Sequence, residues 1–319
     1  MEQAAGLLFS TIQSLQPGVV PHYTYQSWGG LRLQGLRKVA TQGLPLITVI
    51  TIVMNNAKYV ERTILSVLNQ TYRHVEYILV DGGSIDGTVE IIKKYERYLD
   101  VWISEPDKGT HDALNKGASL MTGEYVIMLH SGDCFNNTTV LEDIFLKQKI
   151  YGDVVYGNFI GPVNEKVELA LYTSKLDTKE LWQGMAFCHQ AMFTKLYLIK
   201  KFPFDTKYKI SSDFDFVMKC NLDGAIFQRV DVIVARIDTI GISFKYWFKA
   251  RLENWEIGKR FKNDFGTNFF HLKGLVYDVL FRAFKNTLSY LGFYSFLKKI
   301  YRKTLRKKIK ANQNITKVS

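Results

Sequence analysis

The chain has 319 residues, 47% hydrophobic and 14% aromatic, which is enough for a full core and too apolar for general disorder. Its net charge of +12 sits at one end: residues 245–319 carry 18 Lys and Arg against four Asp and Glu, while the first 244 carry 24 against 26. Cys134, Cys188 and Cys220 are odd in number and lack metal-ligand spacing, so a disulfide scaffold is not expected and a reduced, cytosolic protein is.

The opening MEQAAGLLFS has Glu2 where a secretory signal would carry cations, and its apolar run is too short for one. Residues 1–44 show no clear periodicity and contain Pro17-Gly18, Gly29-Gly30 and Gly43, so they read as a loosely ordered extension. From Pro45 the pattern sharpens. PLITVITIVMNN is a β-branched run expected to be a strand buried on both faces, and AKYVERTILSVLNQ sets Val60, Ile64, Val67 and Leu68 on one helical face. VEYILVDGGSIDGT predicts a second strand and a Gly-rich turn, followed by the helix TVEIIKKYERY. VWIS, the turn EPDKGT and the helix HDALNKGASLM come next, then the strand YVIML.

This alternation predicts an α/β fold, a doubly wound and mostly parallel sheet. Such sheets bind ligands at the carboxyl ends of their strands, where Asn55, Asp81 and Asp133 fall. In the second half DVVYGNF and VELALY read as strands, and FDTKYKISSDFDFVMKCNLDG as a loop entering a helix near Ser211 or Ser212. After Ser243 the pattern is helical and basic. Between Leu272 and Tyr301, Asp278, Arg282, Lys285 and Ser289 form a polar stripe among apolar residues, which predicts an amphipathic helix in a bilayer interface rather than a span. KKIYRKTLRKKIK adds eight cations suited to an anionic membrane surface, and no nucleic-acid recognition motif accompanies it.

Taken together, TIVMNNAKYVERTILSVLNQTYRHVEYILVDGGSIDGT, SEPDKGTHDALNKGASLMTGEYVIMLHSGD, CHQAMF and ISSDFDF resemble a family 2 glycosyltransferase of the GT-A fold, of the type that builds bacterial capsule, exopolysaccharide or O-antigen repeat units. The resemblance runs from about Pro45 to Ser243. It divides the chain into an extension (1–44), a GT-A domain with a Rossmann-like nucleotide-binding half (45–243) and a C-terminal membrane-associating region (244–319). It implies an inverting enzyme, peripheral on the inner face of the cell membrane, that moves sugar from a nucleotide-sugar, a UDP-sugar, to a lipid-linked saccharide.

By the same resemblance Thr51, Asn55, Asp81, Gly83, Asp107, Lys108, Asp112, Asn115 and Ser131 line the donor, and His189 and Arg236 face the diphosphate or acceptor. Asp213 is the base that takes the acceptor's proton as its oxygen attacks the anomeric carbon. Asp215, two residues on in a helix, points away. The family's acid-x-acid motif is reduced here to His130, Gly132 and Asp133. One carboxylate with substrate phosphates and water can still hold Mg²⁺ or Mn²⁺, with His130 as a second ligand. Two rival readings are a sugar-phosphate nucleotidyltransferase, whose basic Gly-rich loop is replaced by MNNAKY, and a non-catalytic membrane scaffold.

Overall fold

A computed structural model describes residues 12–14, 26–41, 43–162, 169–174, 178–237 and 241–290. Three short strands come first, β1 (Ile12–Ser14), β2 (Ser27–Gly29) and β3 (Leu36–Lys38), and then the expected alternation begins. It runs β4 (Ile47–Val53), α1 (Ala57–Leu68), β5 (Val75–Asp81), α2 (Thr88–Lys94), β6 (Val101–Ser104), α3 (Thr110–Ala118) and β7 (Tyr125–Met128). These four strands lie parallel in the order β6-β5-β4-β7, and every residue of each is buried. That double-sided burial is why their sequences are continuous apolar runs.

The sheet then turns mixed. The later elements are β8 (Asp133–Phe135), α4 (Val140–Phe145), β9 (Val154–Pro162), β10 (Leu169–Tyr172), β11 (Met192–Lys195), α5 (Leu196–Lys201), α6 (Ser212–Leu222) and β12 (Phe227–Ile237). β11 runs antiparallel between β7 and β9, and β12 pairs parallel with β9 and antiparallel with β8. Three helices close the described chain: α7 (Ile242–Lys245), α8 (Trp247–Phe261) and α9 (Phe265–Tyr290).

One apolar cluster, including Val49, Val53, Val60, Ile64 and Val67, fills the side of the sheet under α1. A second, including Ile50, Ile52, Leu114, Phe214, Val217 and Ile257, fills the side under α3 and α6. The period-two alternation of β4 deals its residues to the two clusters in turn.

The structure alters the sequence reading at both ends. Part of the segment expected to be loose is built into the sheet. β2 pairs antiparallel with β6, and Leu31, Arg32 and Lys38 are buried. Arg32 forms an ion pair with Glu76, and Lys38 Nζ lies 2.7 Å from Asp100 Oδ2. At the other end, α8 enters the second cluster through the fully buried Ile257, so contacts cross residue 243 freely. The basic run KKIYRKTLRKKIK lies outside the described residues.

Candidate active site

Three turns at the carboxyl ends of β4, β5 and β6 form one side of the site. Asp81 is fully buried, and its Oδ2 accepts from the N–H groups of Gly83 (3.0 Å) and Ser84 (2.9 Å) and from Ser104 Oγ (2.6 Å). Gly83 needs no Cβ for two reasons: its φ is +85°, and a Cβ would sit 3.3 Å from Pro106 N. Asn55 has φ 48°, its N–H donates to Ser84 Oγ at 2.7 Å, and its Oδ1 accepts from Ile85 N–H at 2.9 Å. Asp107 packs against Gly82 and caps the turn through Gly109 N–H (2.8 Å), while Asp112 Oδ2 accepts from Lys108 N–H (2.9 Å).

Asn56 ties this group to the next turn. Its Nδ2 donates to the Ser131 carbonyl (3.1 Å) and to Ser131 Oγ (3.0 Å). Gly132 has φ 105°, its carbonyl accepts from Arg62, and its N–H donates to Thr63 Oγ1 at 2.9 Å. An acidic residue at 132 would have to adopt the left-handed region, so this backbone accounts for the glycine there. Asp133 opens β8 almost fully buried, with Gln190 Nε2 donating to its Oδ2 at 3.2 Å.

Asp213 lies in the first turn of α6, and its Oδ2 is 2.9 Å from His189 Nδ1. Burial opposes charge on both groups. The hydrogen bond and opposite charge outweigh it, raising His189 above the usual histidine value and lowering Asp213 below the usual carboxylate value. The His130 and His189 rings stand 5.0 Å apart. Burial first, then His189 and His111, push His130 down to about 3, so it is a neutral imidazole. Its Nε2 is buried with no hydrogen-bond partner.

Asp215 differs sharply from Asp213. It is fully buried, with Oδ1 2.8 Å from Arg260 Nη1 and Oδ2 paired with Lys219. Of the two acids in SSDFDF, Asp213 is the one with partial exposure to the site; its side chain is 23% exposed against 1% for Asp215.

Two expected donor residues lie elsewhere. Thr51 shares the face of β4 with Val49 and Val53, is fully buried, and pairs its hydroxyl with Tyr77 Oη at 3.1 Å. Asn115 bonds both ways to the Phe204 main chain, at 2.8 and 2.9 Å, and so fixes the loop before α6. Arg236 stands on β12 beside Cys134, next to Asp133.

Sequence reasoning passed over His111, Gln190 and Glu253. Three of the chain's six histidines converge on Asp213, a signal visible only in three dimensions. Glu253, on α8, accepts three consecutive N–H groups ahead of α6, from Lys209 (3.1 Å), Ile210 (2.9 Å) and Ser211 (2.9 Å).

Among the described residues no cluster of three His, Cys, Asp or Glu forms a ready cage for a metal. The donor set nonetheless fits a dication that takes most of its ligands from substrate. Asp133 supplies one carboxylate, and His130 Nε2, three residues away, is a buried nitrogen awaiting a partner.

A parallel nucleotide-binding sheet extended by antiparallel strands, with acids at its strand ends, is the GT-A fold. The family model for glycosyl transferase family 2 matches residues 48–203. An uncharacterized glycosyltransferase of Mycobacterium tuberculosis is 30% identical over 213 residues, covering 62% of this chain and 77% of the relative. A PGL/p-HBAD biosynthesis glycosyltransferase of Mycobacterium bovis is 28% identical over 204 residues, covering 62% and 78%. The chain belongs to glycosyltransferase family 2 and is a glycosyltransferase.

Solved structures share the fold at low identity. The mannosyltransferase PcManGT of Pyrobaculum calidifontis, in complex with GDP-Man and Mn²⁺, matches with a TM-score of 0.54 and 17% identity over 84% of this chain and 82% of that one. TarS 1–349 of S. aureus in complex with UDP-GlcNAc matches with a TM-score of 0.51 and 19% identity over 70% and 72%.

Proposed function

We propose that the protein is an inverting transferase that moves a sugar from a UDP-type donor to a lipid-linked saccharide at the inner face of the cell membrane. The observation that carries this reading is the pairing of Asp213 with His189 beside the Asp133 turn, with the Asp213 side chain 23% exposed where Asp215 is shut in by Arg260 and Lys219. Asn55, Asp81, Gly83, Asp107, Lys108 and Asp112 frame the nucleotide. Ser131, His189 and Arg236 face the diphosphate and acceptor.

Asp213 takes the proton from the acceptor hydroxyl as its oxygen attacks the anomeric carbon, and the bond to the diphosphate breaks on the opposite side. His189 holds the Asp213 carboxylate in place through Nδ1. Asp133, with His130, would hold Mn²⁺ or Mg²⁺, which when bound neutralises the departing diphosphate.

Helix α9 supports the membrane part of the reading. Two residues of its polar stripe face inward: Asp278 bonds Arg251 at 2.7 Å, and Arg282 lies 4.2 Å over the Trp247 ring. Tyr277, Leu280, Phe281 and Phe284 are all more than half exposed. A helix with its apolar side outward suits a lipid interface. Among the described residues no helix is long and apolar enough to cross a membrane.

The test is Asp213→Asn. Nucleotide release from UDP-GlcNAc or GDP-mannose with Mn²⁺ should fall by about 10²–10⁴-fold while UDP affinity stays within about threefold. Release at the wild-type rate removes Asp213 from the mechanism.

A further inference from the structure

The region after residue 243 reaches the turn that carries Asp213. Ser212 begins α6, and the three main-chain N–H groups just before it, on Lys209, Ile210 and Ser211, all point at one carboxylate. That carboxylate, Glu253, comes from α8, is 7% exposed, and spans the three donors with both oxygens, Oε1 on Lys209 and Oε2 on Ile210 and Ser211. These N–H groups belong to the loop that leads into the helix and have no ladder of their own, so one buried carboxylate satisfies all three. A second tie comes from one helical face further along α8. Arg260 Nη1 reaches Asp215 Oδ1 at 2.8 Å and Tyr208 Oη at 3.1 Å. Asp213 sits between these two anchor points, on the first turn of α6. The loop carrying them, residues 205–211, has little regular structure of its own, so its path depends on what grips it.

We infer that Glu253 is a positioning residue for Asp213: with Arg260 it makes α8 the clamp that sets where the base carboxylate stands. The inference rests on Asp213 being the base. Both clamp residues lie on α8 and, like Asp213 itself, fall beyond the stretch that matches the family model, residues 48–203.

Glu253→Gln keeps the size of the side chain but turns one acceptor oxygen into an amide that faces main-chain N–H groups. Donor against donor forces the 209–211 turn to shift. A displacement of about 1 Å at the base is enough for a loss near 10²-fold.

The experiment uses the full chain and measures UDP release from UDP-GlcNAc, and GDP release from GDP-mannose, with Mn²⁺. Four variants are compared with wild type: Glu253→Gln, Arg260→Gln, Asp213→Asn, and Glu253→Gln combined with Asp213→Asn. UDP and GDP affinities are measured alongside by calorimetry. Glu253→Gln should lower kcat by about 10–100-fold with nucleotide affinity within about threefold. Arg260→Gln leaves Asp215 paired with Lys219 and should lower kcat in the same direction, independently of how well the first variant folds. Added to Asp213→Asn, Glu253→Gln should lower the residual rate by less than about twofold, because a positioning residue has nothing left to position.

Wild-type kcat in Glu253→Gln and in Arg260→Gln overturns the inference. So does a fall of equal size in the wild-type and Asp213→Asn backgrounds, or a matching fall in nucleotide affinity, since each marks a merely structural role. Wild-type turnover by Asp213→Asn is a different result, which removes the base assignment itself.

Discussion

Replacing Arg32 by Met should destabilise the whole domain, although Arg32 lies upstream of every strand that carries the site. Its guanidinium is 9% exposed and the Glu76 carboxylate 1%, so the variant leaves a buried charge without its counter-ion. Removing one partner of such a pair costs about 3–5 kcal/mol. Glu76 keeps the hydroxyls of Thr48 and Thr122 and the N–H of Thr122 at 2.8 Å, which places the loss in the lower part of that range. The Arg32 Nη1 bond to the Leu120 carbonyl, 2.6 Å, also disappears and adds about 1 kcal/mol. A total near 4 kcal/mol lowers the melting temperature by about 8–12 °C at roughly 2–3 °C per kcal/mol for a chain of this size. Thermal unfolding followed by circular dichroism reads this directly. Adding Glu76→Gln removes the stranded charge while keeping an acceptor, and should recover more than half of the loss. A single variant that melts within about 1 °C of wild type, or a double variant no better than the single, refutes the reasoning.

Three further outcomes are expected. Phe281→Asp with Phe284→Asp should cut sedimentation with anionic vesicles by about tenfold or more and leave the melting temperature unchanged, since both rings are more than half exposed; unchanged sedimentation removes α9 as the contact. Asp133→Ala should abolish the gain in UDP affinity that Mn²⁺ gives, while His130→Ala weakens it about tenfold or less; calorimetry with Mn²⁺ and with chelator tells the two apart. His271 is buried against Trp182, and burial, opposed by the Trp182 carbonyl and aided by Arg251, lowers its pKa below the ordinary 6.5. A depressed histidine contributes stability that is complete above 6.5 and is lost as the pH falls below it, because the unfolded chain takes the proton first. Wild type should therefore lose stability between pH 7.5 and 5.5, and His271→Asn should lose less over the same interval; parallel melting curves for the two would contradict this.

The first half of the fold was legible because its strands are buried on both faces. ITVITIV and VEYILVD announce themselves as unbroken apolar runs, and Val60, Ile64 and Val67 as one face of α1. The second half was less so. Met192–Lys195 and Asp133–Phe135 are three or four residues long, too short to establish a period, and β12 mixes exposed and buried positions along FQRVDVIVARI without strict alternation. In the site, the resemblance singled out Asp213 and helical geometry turned Asp215 away from it, and the structure gives the two different surroundings. Thr51 and Asn115 misled because a polar side chain near a strand end or on a helix looks the same in sequence whether it faces a ligand or a neighbouring main chain. Glu253 had no local sign at all: its partners lie 42 to 44 residues away.

The three-residue strand Ser27–Gly29 covers β6, the last strand on that side of the sheet, through the pairings Ser27↔Ser104, Trp28↔Ile103 and Gly29↔Trp102. Without it, Val101–Ser104 would present a row of open N–H and C=O groups on a mostly apolar stretch, a template for stacking one molecule onto the next. β2 is itself too short to recruit another strand, and it runs into Gly30 at φ 111°, where the chain turns away. The segment thus acts as a plug against self-association. A protein trimmed to begin at Pro45 should express as aggregates even if every catalytic group is present.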